Sequence, residues 1–292
     1  MSGFRGLHGK PLVTYAVGLI GRGISSSRSP AIHETEALEL GIPLVYRTVD
    51  FDRLGRPDSD LEAVIRVLVA IGWAGCNVTH PYKQAVLPLC DTLSEEARAL
   101  GAVNTLIFRN GLIHGDNTDW TGFSWLIERQ IGAITGGRIA QIGAGGAGSA
   151  TAYALARLGV SEVAVFDPVT DRAHALSHRL AALFPQCRIV VSASPREAIG
   201  GRDGIVQTTP VGMDTHPGVP FDPELMAPTQ WLVDIIYFPL ETPLLRAARA
   251  RGLRAVKGIC MVAGQAADAF GLLTGYAADR ERILLHIQDA TK

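Results

Sequence analysis

The sequence Gln141-Ile142-Gly143-Ala144-Gly145-Gly146-Ala147-Gly148 joins an apolar run, residues 138–142, to an alanine-rich segment, residues 149–158. Its glycines at 143, 145 and 148 fit the pattern G-x-G-x-x-G. Between a strand and a helix, the first glycine allows a sharp turn, the second lets the backbone approach a pyrophosphate, and the third lets the helix pack close to the strand. A diphosphate would bind at the helix N-terminus, where free N–H groups favour negative charge. A tight turn without a ligand is the alternative.

A second apolar run, residues 162–166, ends in Asp167, which lies 19 residues after Gly148. An acidic residue about 20 residues beyond the glycines is where dinucleotide-binding folds hold a ribose hydroxyl pair. The succession of strand, glycine turn, helix, strand and aspartate therefore predicts a dinucleotide site.

The composition is that of a globular protein able to bury sizeable cores. The chain has 292 residues, of which 47% are hydrophobic and 19% charged, and a formal net charge of −1. This length favours two domains, and the scattered charge leaves no basic footprint for nucleic acid. No apolar stretch is long enough for a membrane span, and residues 1–10 form no apolar leader. The four cysteines lack C-x-x-C spacing, so we expect a cytoplasmic protein with buried free thiols.

Strand and helix patterns alternate along the chain, which favours a two-domain α/β fold rich in parallel strands. We predict a substrate-binding and catalytic domain over residues 1–125, with C-terminal helices 260–292 packing back on it. A Rossmann-like, doubly wound domain is predicted over residues 126–259, and the Gly136-Gly137 pair is predicted to mark the junction. Asn110-Gly111 predicts a hairpin turn, and Pro81 is predicted to begin a helix.

Polar residues follow the predicted strands of the first domain, at the sheet edge where open α/β sheets bind ligands. Ser27 and Ser29 precede a predicted helix and could hold a carboxylate, or they could be ordinary N-caps. In the run Asn77–Lys83, the lysine would lie in the first turn of a helix, where positive charge is unfavourable. That placement indicates a functional lysine, and a solvated lysine is the alternative.

A third polar group combines Asn104 with Asn117-Thr118-Asp119, of which Asp119 could be a helix cap. A nicotinamide dehydrogenase must remove a proton from an alcohol as hydride leaves its carbon, and a lysine beside a carboxylate suits that step. Lys83 and Asp119 are the natural pair. The sequence has no HExxH motif, no zinc-spaced Cys/His cluster, no nucleophile elbow and no P-loop, so we expect no metal.

Together these motifs resemble the shikimate dehydrogenase family, specifically its quinate/shikimate dehydrogenase branch. The motifs are Ser27-Arg28-Ser29-Pro30 with His33, Asn77–Lys83, Ala102–Thr105, Asn117–Asp119, Gly143–Gly148, Thr209–Met213 and Gln265. They extend in family order over nearly the whole chain. The resemblance implies a two-domain α/β enzyme with its active site in the interdomain cleft. It also implies reversible NAD(P)-linked oxidation of the C3 hydroxyl of a cyclic hydroxy acid, quinate or shikimate.

The resemblance further implies roles for individual residues. Ser27 and Ser29 would bind the substrate carboxylate, and Lys83 and Asp119 would be the catalytic pair. The residues implied for the ring hydroxyls are Thr79, Asn104 and Gln265, with Tyr237 nearby. Those implied for the cofactor are Gly143, Ala144, Gly145, Gly146, Ala147, Gly148, Asp167, Arg172, Thr209, Pro210, Met213, Gly258 and Met261.

The predicted cofactor is NAD rather than NADP. NADP-dependent members of the family usually carry an Asn-Arg-Thr type stretch where this chain has Asp167 and the residues after it. An aspartate there would repel a 2′-phosphate and accept hydrogen bonds from two ribose hydroxyls. Arg172 could still contact a phosphate.

Substrate preference stays open between quinate, shikimate and an amino-substituted analogue. Ser29 is more typical of shikimate enzymes, whereas the NAD signature and residues 237–242 are more typical of the quinate branch. Lys257 and Cys260 depart from the family pattern beside the nicotinamide. A non-catalytic nucleotide-binding regulator is the alternative from another class, and the presence of both Lys83 and Asp119 argues against it. We expect a monomer or a homodimer.

Overall fold

The computed structural model describes residues 14–289. Residues 1–13 and 290–292, which the predicted domains include, lie outside this range. The strands are β1 (Tyr15–Gly21), β2 (Leu44–Asp50), β3 (Gly75–Val78), β4 (Thr92–Leu93), β5 (Thr105–Arg109), β6 (Leu112–Asp116), β7 (Arg138–Ile142), β8 (Glu162–Phe166), β9 (Arg188–Val191), β10 (Gly204–Gln207), β11 (Trp231–Asp234) and β12 (Arg254–Lys257). The helices are α1 (Ser29–Glu39), α2 (Leu61–Ala70), α3 (Glu95–Leu100), α4 (Asp119–Gln130), α5 (Gly146–Arg157), α6 (Thr170–Leu183), α7 (Pro195–Ile199), α8 (Pro243–Ala250), α9 (Ile259–Thr274) and α10 (Arg280–Asp289).

The chain divides into two compact units. The first runs to Thr118 and resumes at Ala266, and the second comprises Asp119–Gln265. These boundaries differ from the predicted ones at 125/126 and 259/260. All of α4 belongs to the second unit because it packs along α5, where Trp120 meets Tyr153 edge-on at 5.6 Å between ring centroids.

The start of α9 also belongs to the second unit. An added Cβ on Gly122 of α4 would come within 2.4 Å of the Met261 carbonyl oxygen, so α4 and the first turns of α9 lie in close contact. The Gly136-Gly137 pair lies inside the second unit and is not a junction. Buried packing between helices, rather than local glycine content, therefore sets the boundaries.

The first unit contains a six-stranded sheet in the order β2-β1-β3-β5-β6-β4. β1 pairs in parallel with β2 and β3, whereas β5 pairs antiparallel with β3 and β6. The predicted hairpin turn is confirmed, since Asn110 and Gly111 have left-handed φ values of 52° and 79°. Buried side chains such as Ile20, Ile65 and Leu106 form the core. Because β1, β2 and β3 are parallel, the segments that follow them emerge at one sheet edge.

The second unit contains a six-stranded sheet in the order β12-β11-β10-β7-β8-β9, in which every pairing is parallel. Helices α5 and α6 connect β7 to β8 and β8 to β9, and the chain then returns to β10 on the other side of β7. The order thus reverses at β7, and ligands of doubly wound sheets bind beyond the strand ends at such a point. The α/β fold class with two parallel-rich sheets is confirmed.

The predicted helix at Pro81 is wrong. Residues 80–86 form turns, and only a short 3-10 helix, Leu87–Leu89, follows. Most amide hydrogen bonds in the segment span three residues, as from Leu87 to Gln84, and Pro88 has no N–H to extend an α-helix. The argument from a lysine in a helical first turn therefore does not apply to Lys83. Strand β12 was not predicted from the sequence.

Within residues 14–289, no helix is long and apolar enough to cross a bilayer. The same residues contain no group of three or more His, Cys, Asp or Glu side chains that could hold a metal ion. The four cysteines all lie in this range as free thiols; Cys76, Cys187 and Cys260 are buried, and Cys90 is half-buried.

Candidate nucleotide and substrate sites

The glycine-rich turn has the geometry that its glycines predict. Gly143 has a φ of 110°, a conformation that other residues rarely adopt. A Cβ on Gly148 would lie 2.4 Å from the Gly143 carbonyl oxygen, so only glycine lets α5 approach β7 this closely. In contrast, a Cβ on Gly145 or Gly146 would meet no atom within 4 Å. The turn is therefore tight on its inner side and open on its outer side.

Two buried polar side chains hold this turn in place through hydrogen bonds to its backbone. Gln141 Nε2 donates to the carbonyl oxygens of Gly143 and Gly148, both at 2.9 Å. Thr208 Oγ1, at the end of β10, donates to the Gly143 carbonyl oxygen at 3.0 Å. Gln141 Oε1 in turn accepts a hydrogen bond from Thr151 at 2.9 Å. The network fixes the turn at both ends.

The start of α5 is suited to an anion. The helix begins at Gly146 with Gly145 as its N-cap, which has no side chain to cap the first-turn N–H groups. These groups and the helix dipole favour a phosphate, and the open outer side of the turn gives its backbone room to approach one. The residues present thus fit the diphosphate of a dinucleotide.

Asp167 lies directly after β8 and is buried. Its Oδ2 accepts the Ala144 N–H at 2.7 Å, and its Oδ1 accepts the Val169 N–H at 2.8 Å. The carboxylate therefore lies on the glycine-rich turn and supports it. The Arg172 side chain is exposed on α6.

The segment after β10 carries Thr209, Pro210 and Met213. Gln207, fully buried, donates through Nε2 to the carbonyl oxygens of Thr209 and Val211 at 2.9 and 3.0 Å. Its Oε1 accepts from the Thr209 amide and hydroxyl at 2.8 and 3.0 Å. Gln207 thus shapes the turn, and the Met213 side chain is exposed after it.

The loop after β12 is closely packed. A Cβ on Gly258 would lie 2.1 Å from the Ile235 carbonyl oxygen, so glycine is required there. Lys257 forms an ion pair with Glu241 at 3.3 Å, and the Cys260 thiol is buried. Lys257 is thus engaged within the second unit.

Other predicted residues of this unit differ in exposure. Met261 is buried and Gln265 half-buried, whereas Tyr237 is exposed.

In the first unit, polar side chains at the strand ends form a buried network. Asn104 Oδ1 accepts from the Thr118 amide at 2.8 Å, and Asn104 Nδ2 donates to Thr118 Oγ1 at 3.0 Å. Thr105 Oγ1 donates to Asn104 Oδ1 at 2.9 Å and accepts from Asn77 Nδ2 at 3.1 Å. Tyr46 completes the chain by donating to Asn77 Oδ1 at 2.9 Å. The network holds Asn104 in one orientation.

Ser27 and Ser29 lie together at the start of α1. The Ser27 hydroxyl donates to Ser29 Oγ at 3.1 Å and accepts the Ser29 N–H at 3.2 Å. The N-cap position of α1 belongs to Arg28, so neither serine is the N-cap. Burial raises the pKa of Tyr46, and a hydrogen bond with Ser29 opposes that shift. Two hydroxyls beside a helix N-terminus can bind a carboxylate.

Thr79 and Lys83 lie in the turn region after β3, and both are half-buried. The Lys83 carbonyl oxygen accepts the Val103 amide at 2.8 Å, which places its backbone beside Asn104. The first unit therefore brings together Ser27, Ser29, Thr79, Lys83 and Asn104 at one sheet edge. Asp119, Tyr237 and Gln265 belong to the second unit with the nucleotide-site residues.

Comparison with known proteins identifies the family. Residues 19–106 match the family model described as the shikimate dehydrogenase substrate binding domain. A shikimate dehydrogenase (NADP(+)) of Streptomyces avermitilis is 44% identical over 279 residues, which are 94% of this chain and 96% of the relative. The chain belongs to the shikimate dehydrogenase family. The resemblance of its motifs to this family is thereby confirmed.

Family members of similar identity differ in their named cofactor. A quinate/shikimate dehydrogenase (NAD(+)) of Corynebacterium efficiens is 42% identical over 91% of this chain and 95% of its own length. The quinate dehydrogenase from Corynebacterium glutamicum, solved in complex with NAD, superimposes with a TM-score of 0.88 at 40% identity, covering 94% of this chain and 99% of that one. Family membership therefore leaves the choice of cofactor to the residues of this chain.

Several positioning residues of this shikimate dehydrogenase family member were not predicted from sequence: Tyr46, Asp50, Gln141, Gln207 and Thr208. Of these, only Asp50 is acidic, and its charge is the sequence signal that could have singled it out. Tyr46 and Thr208 are ordinary strand or loop residues until the sheets bring their partners within hydrogen-bond distance, whereas Gln141 and Gln207 bond to residues nearby in the sequence.

Proposed function

We propose that this chain is an NAD-dependent dehydrogenase that reversibly oxidises the C3 hydroxyl of shikimate, quinate or both. Membership of the shikimate dehydrogenase family supports the reaction class and the substrate class. The observation that carries the cofactor assignment is the Asp167 carboxylate lying on the glycine-rich turn, 2.7 Å from the Ala144 nitrogen. Bound NAD supplies the hydride acceptor.

The nucleotide would be held by residues of the second unit. The outer face of Gly145 and Gly146 and the N-terminus of α5 would bind the diphosphate, and Asp167 would accept hydrogen bonds from the ribose hydroxyls. A carboxylate has further lone pairs beyond those taken by the Ala144 and Val169 amides, so it can serve both purposes. The same negative charge would repel a 2′-phosphate.

The substrate would be bound largely by residues of the first unit. Ser27 and Ser29 would hold the carboxylate, and Thr79 and Asn104 would bind ring hydroxyls. The hydrogen bonds that orient Asn104 toward Thr118 support this role, because a fixed amide selects one arrangement of hydroxyls. The resemblance to the family also assigns Tyr237 and Gln265 to the substrate.

Lys83 and Asp119 would carry the proton transfer. A lysine amine can accept the C3 hydroxyl proton, and its ammonium form can stabilise a developing alkoxide. The family motif that contains Asp119 assigns its carboxylate to the same proton transfer. When two residues act together in one step, removing both costs little more activity than removing one.

A substrate panel tests the proposed reaction. Shikimate and quinate are each assayed with NAD and NADP by following reduced nicotinamide absorbance. We expect turnover of at least one acid, with a higher kcat/KM for NAD. Absence of turnover with either acid would disprove the proposal.

The catalytic assignment is tested with Lys83→Met, Asp119→Asn and the double variant. We expect each single change to lower kcat about 10³-fold, since proton-transfer groups contribute roughly 10²–10⁴-fold, and the double variant to be little worse. Gln84→Ala, which changes an exposed neighbour in the same turn, is the control and should retain kcat. Unchanged kcat in Lys83→Met would remove this lysine from the mechanism.

The cofactor assignment is tested by Asp167→Ala through the ratio of kcat/KM for NAD to that for NADP. Loss of the Ala144 hydrogen bond should weaken both cofactors, and this shared effect cancels in the ratio. We expect the ratio to fall at least tenfold, because the ribose contacts are lost and the repulsion of a phosphate is removed. Arg172→Ala is measured in the same assay, and an effect of this change should be confined to the kcat/KM for NADP. An unchanged ratio in Asp167→Ala would contradict the ribose role.

A further inference from the structure

A carboxylate outside the family motifs organises the loop between β1 and α1. It belongs to Asp50, the last residue of β2, which pairs in register with Gly21 and is only 2% exposed. Four donors surround it: the amides of Gly23, Ile24 and Asp52 at 3.0, 3.0 and 3.1 Å, and the Ser25 hydroxyl at 2.7 Å. Converging backbone donors of this kind form an anion-binding nest, and the chain's own carboxylate fills it.

The charge of Asp50 is compensated locally. Burial by itself would raise the pKa of this carboxyl group, but the hydrogen bonds from Ser25 and from the three amides outweigh burial and lower the pKa. Asp50 is therefore a carboxylate at neutral pH, and a buried carboxylate holds its donors more strongly than a neutral acceptor does. The turn that supplies the donors is correspondingly fixed.

The same turn leads directly to the two serines. The Ile24 N–H donates to Asp50, and the Ile24 carbonyl oxygen accepts the Ser27 N–H at 2.9 Å. The Ser27 hydroxyl then accepts the Ser29 N–H and donates to Ser29 Oγ. Two hydrogen bonds through one residue thus connect the Asp50 carboxylate to Ser27.

We propose that Asp50 is a positioning residue for the carboxylate site: it holds the turn at Gly23–Ser25 so that Ser27 and Ser29 present their hydroxyls in the geometry that binds the substrate carboxylate. This inference rests on the proposed function of the two serines. Asp50 acts through the loop, because its own oxygens are already occupied by four donors of the chain.

The test compares substrates with and without the negative charge. Asp50→Asn keeps the shape of the side chain but turns an NH₂ donor toward the donors of the turn. The KM and kcat of the full-length variant are measured with shikimate, with shikimate methyl ester and with NAD. We expect KM for shikimate to rise about tenfold, equivalent to one hydrogen bond to a charged group, with kcat and the KM values for the ester and NAD within about twofold. An equal rise in KM for shikimate and its ester would overturn the inference, since general damage to the fold affects both.

Two further variants keep the test decisive. Ser25→Ala removes only the shortest donor to Asp50 from an exposed position, so it serves if Asp50→Asn does not fold; we expect the same selective rise in KM, about threefold. Ser27→Ala should abolish most of the preference for acid over ester, and Asp50→Asn should add little in its presence. If Ser27→Ala leaves the preference unchanged, the proposed carboxylate site itself is wrong. If Ser27→Ala acts but Asp50→Asn and Ser25→Ala do not, or if the effects add, only the positioning role of Asp50 is wrong.

Discussion

Acidification from pH 7 to pH 5 should destabilise the first unit through one buried side chain, His33. This histidine lies on α1, is 3% exposed, and stacks on Tyr46 with 4.7 Å between the ring centroids. Phe270 of α9 lies on the same cluster, at 6.1 Å. Burial among these rings lowers the pKa of His33 from 6.5 to about 4, because the charged form loses its hydration.

The magnitude follows from the two pKa values. Well above pH 6.5 the imidazole is neutral in both states and contributes no penalty. As the pH falls through 6.5 toward 4, the unfolded chain takes up a proton that the folded chain does not. The free energy of unfolding should therefore drop by about 2 kcal/mol between pH 7 and pH 5. Glu36, the buried carboxylate on the same helix, forms an ion pair with Arg282 at 2.6 Å, so it is already engaged by a cation.

A buried group of the second unit acts in the opposite direction. Burial raises the pKa of Asp234 to about 6, against the hydrogen bonds from Thr242 and the Ile236 amide. Its folded form takes up a proton more readily than the unfolded chain, which should add about 1 kcal/mol of stability over the same pH interval. Because other groups also titrate over this interval, a variant must isolate the histidine.

The assay is urea unfolding at pH 7 and at pH 5. The unfolding of the first unit is detected by a hydrogen-exchange pulse, always at the same labelling pH, in peptides covering β1 and β2. In His33→Phe the ring can still stack on Tyr46, but it cannot bind a proton. We expect the wild-type protein to lose about 2 kcal/mol more than this variant on acidification. His174→Gln, which replaces an exposed histidine, is the control and should behave as wild type. Equal losses in wild type and His33→Phe would refute the reasoning.

Substitutions at two other places in the chain have expected outcomes. Gly148→Ala should destabilise the second unit and abolish nucleotide binding, because its methyl group would lie 2.4 Å from the Gly143 carbonyl oxygen. The methyl group of Gly145→Ala would meet no atom within 4 Å. This variant should therefore keep the urea midpoint of the wild type but bind NAD more weakly in calorimetry. Arg282→Met should cost about 3 kcal/mol in urea unfolding, because it leaves the buried Glu36 carboxylate without its ion pair, and the double variant with Glu36→Gln should recover part of this loss. Equal midpoints for the two glycine variants, or no cost in Arg282→Met, would contradict these accounts.

Features that depend on neighbouring residues were predictable. The glycine turn, the aspartate after β8 and the Asn110-Gly111 hairpin were each predictable from a few consecutive residues. The helix predicted at Pro81 was wrong. Pro88 and hydrogen bonds that span three residues favour turns over an α-helix in this segment. Because that helix is absent, the argument from the position of Lys83 no longer applies, and the assignment of Lys83 depends on the family motif.

Features that depend on distant residues were not predictable. The domain boundaries follow from helix packing between α4, α5 and the start of α9, which no local pattern signals. The role proposed for Asp50 depends on β2 lying beside β1, so that its carboxylate meets amides of Gly23 and Ile24 much earlier in the chain. Thr208 likewise braces the glycine-rich turn only because β10 lies beside β7, so that its hydroxyl meets the Gly143 carbonyl oxygen.

The sequence by itself determined the α/β class, the dinucleotide turn with its aspartate, and the membership of a family whose motifs carry the proposed chemistry. These are encoded in short segments, because glycine, proline and aspartate constrain the backbone where they stand. Only the tertiary structure decided how the polar segments are held: the turn before Ser27 by Asp50, Asn104 by Thr118, and the glycine turn by Thr208 and Asp167. Such hydrogen bonds join residues far apart in sequence, and they form only when folding brings donor and acceptor within about 3 Å and removes water from between them.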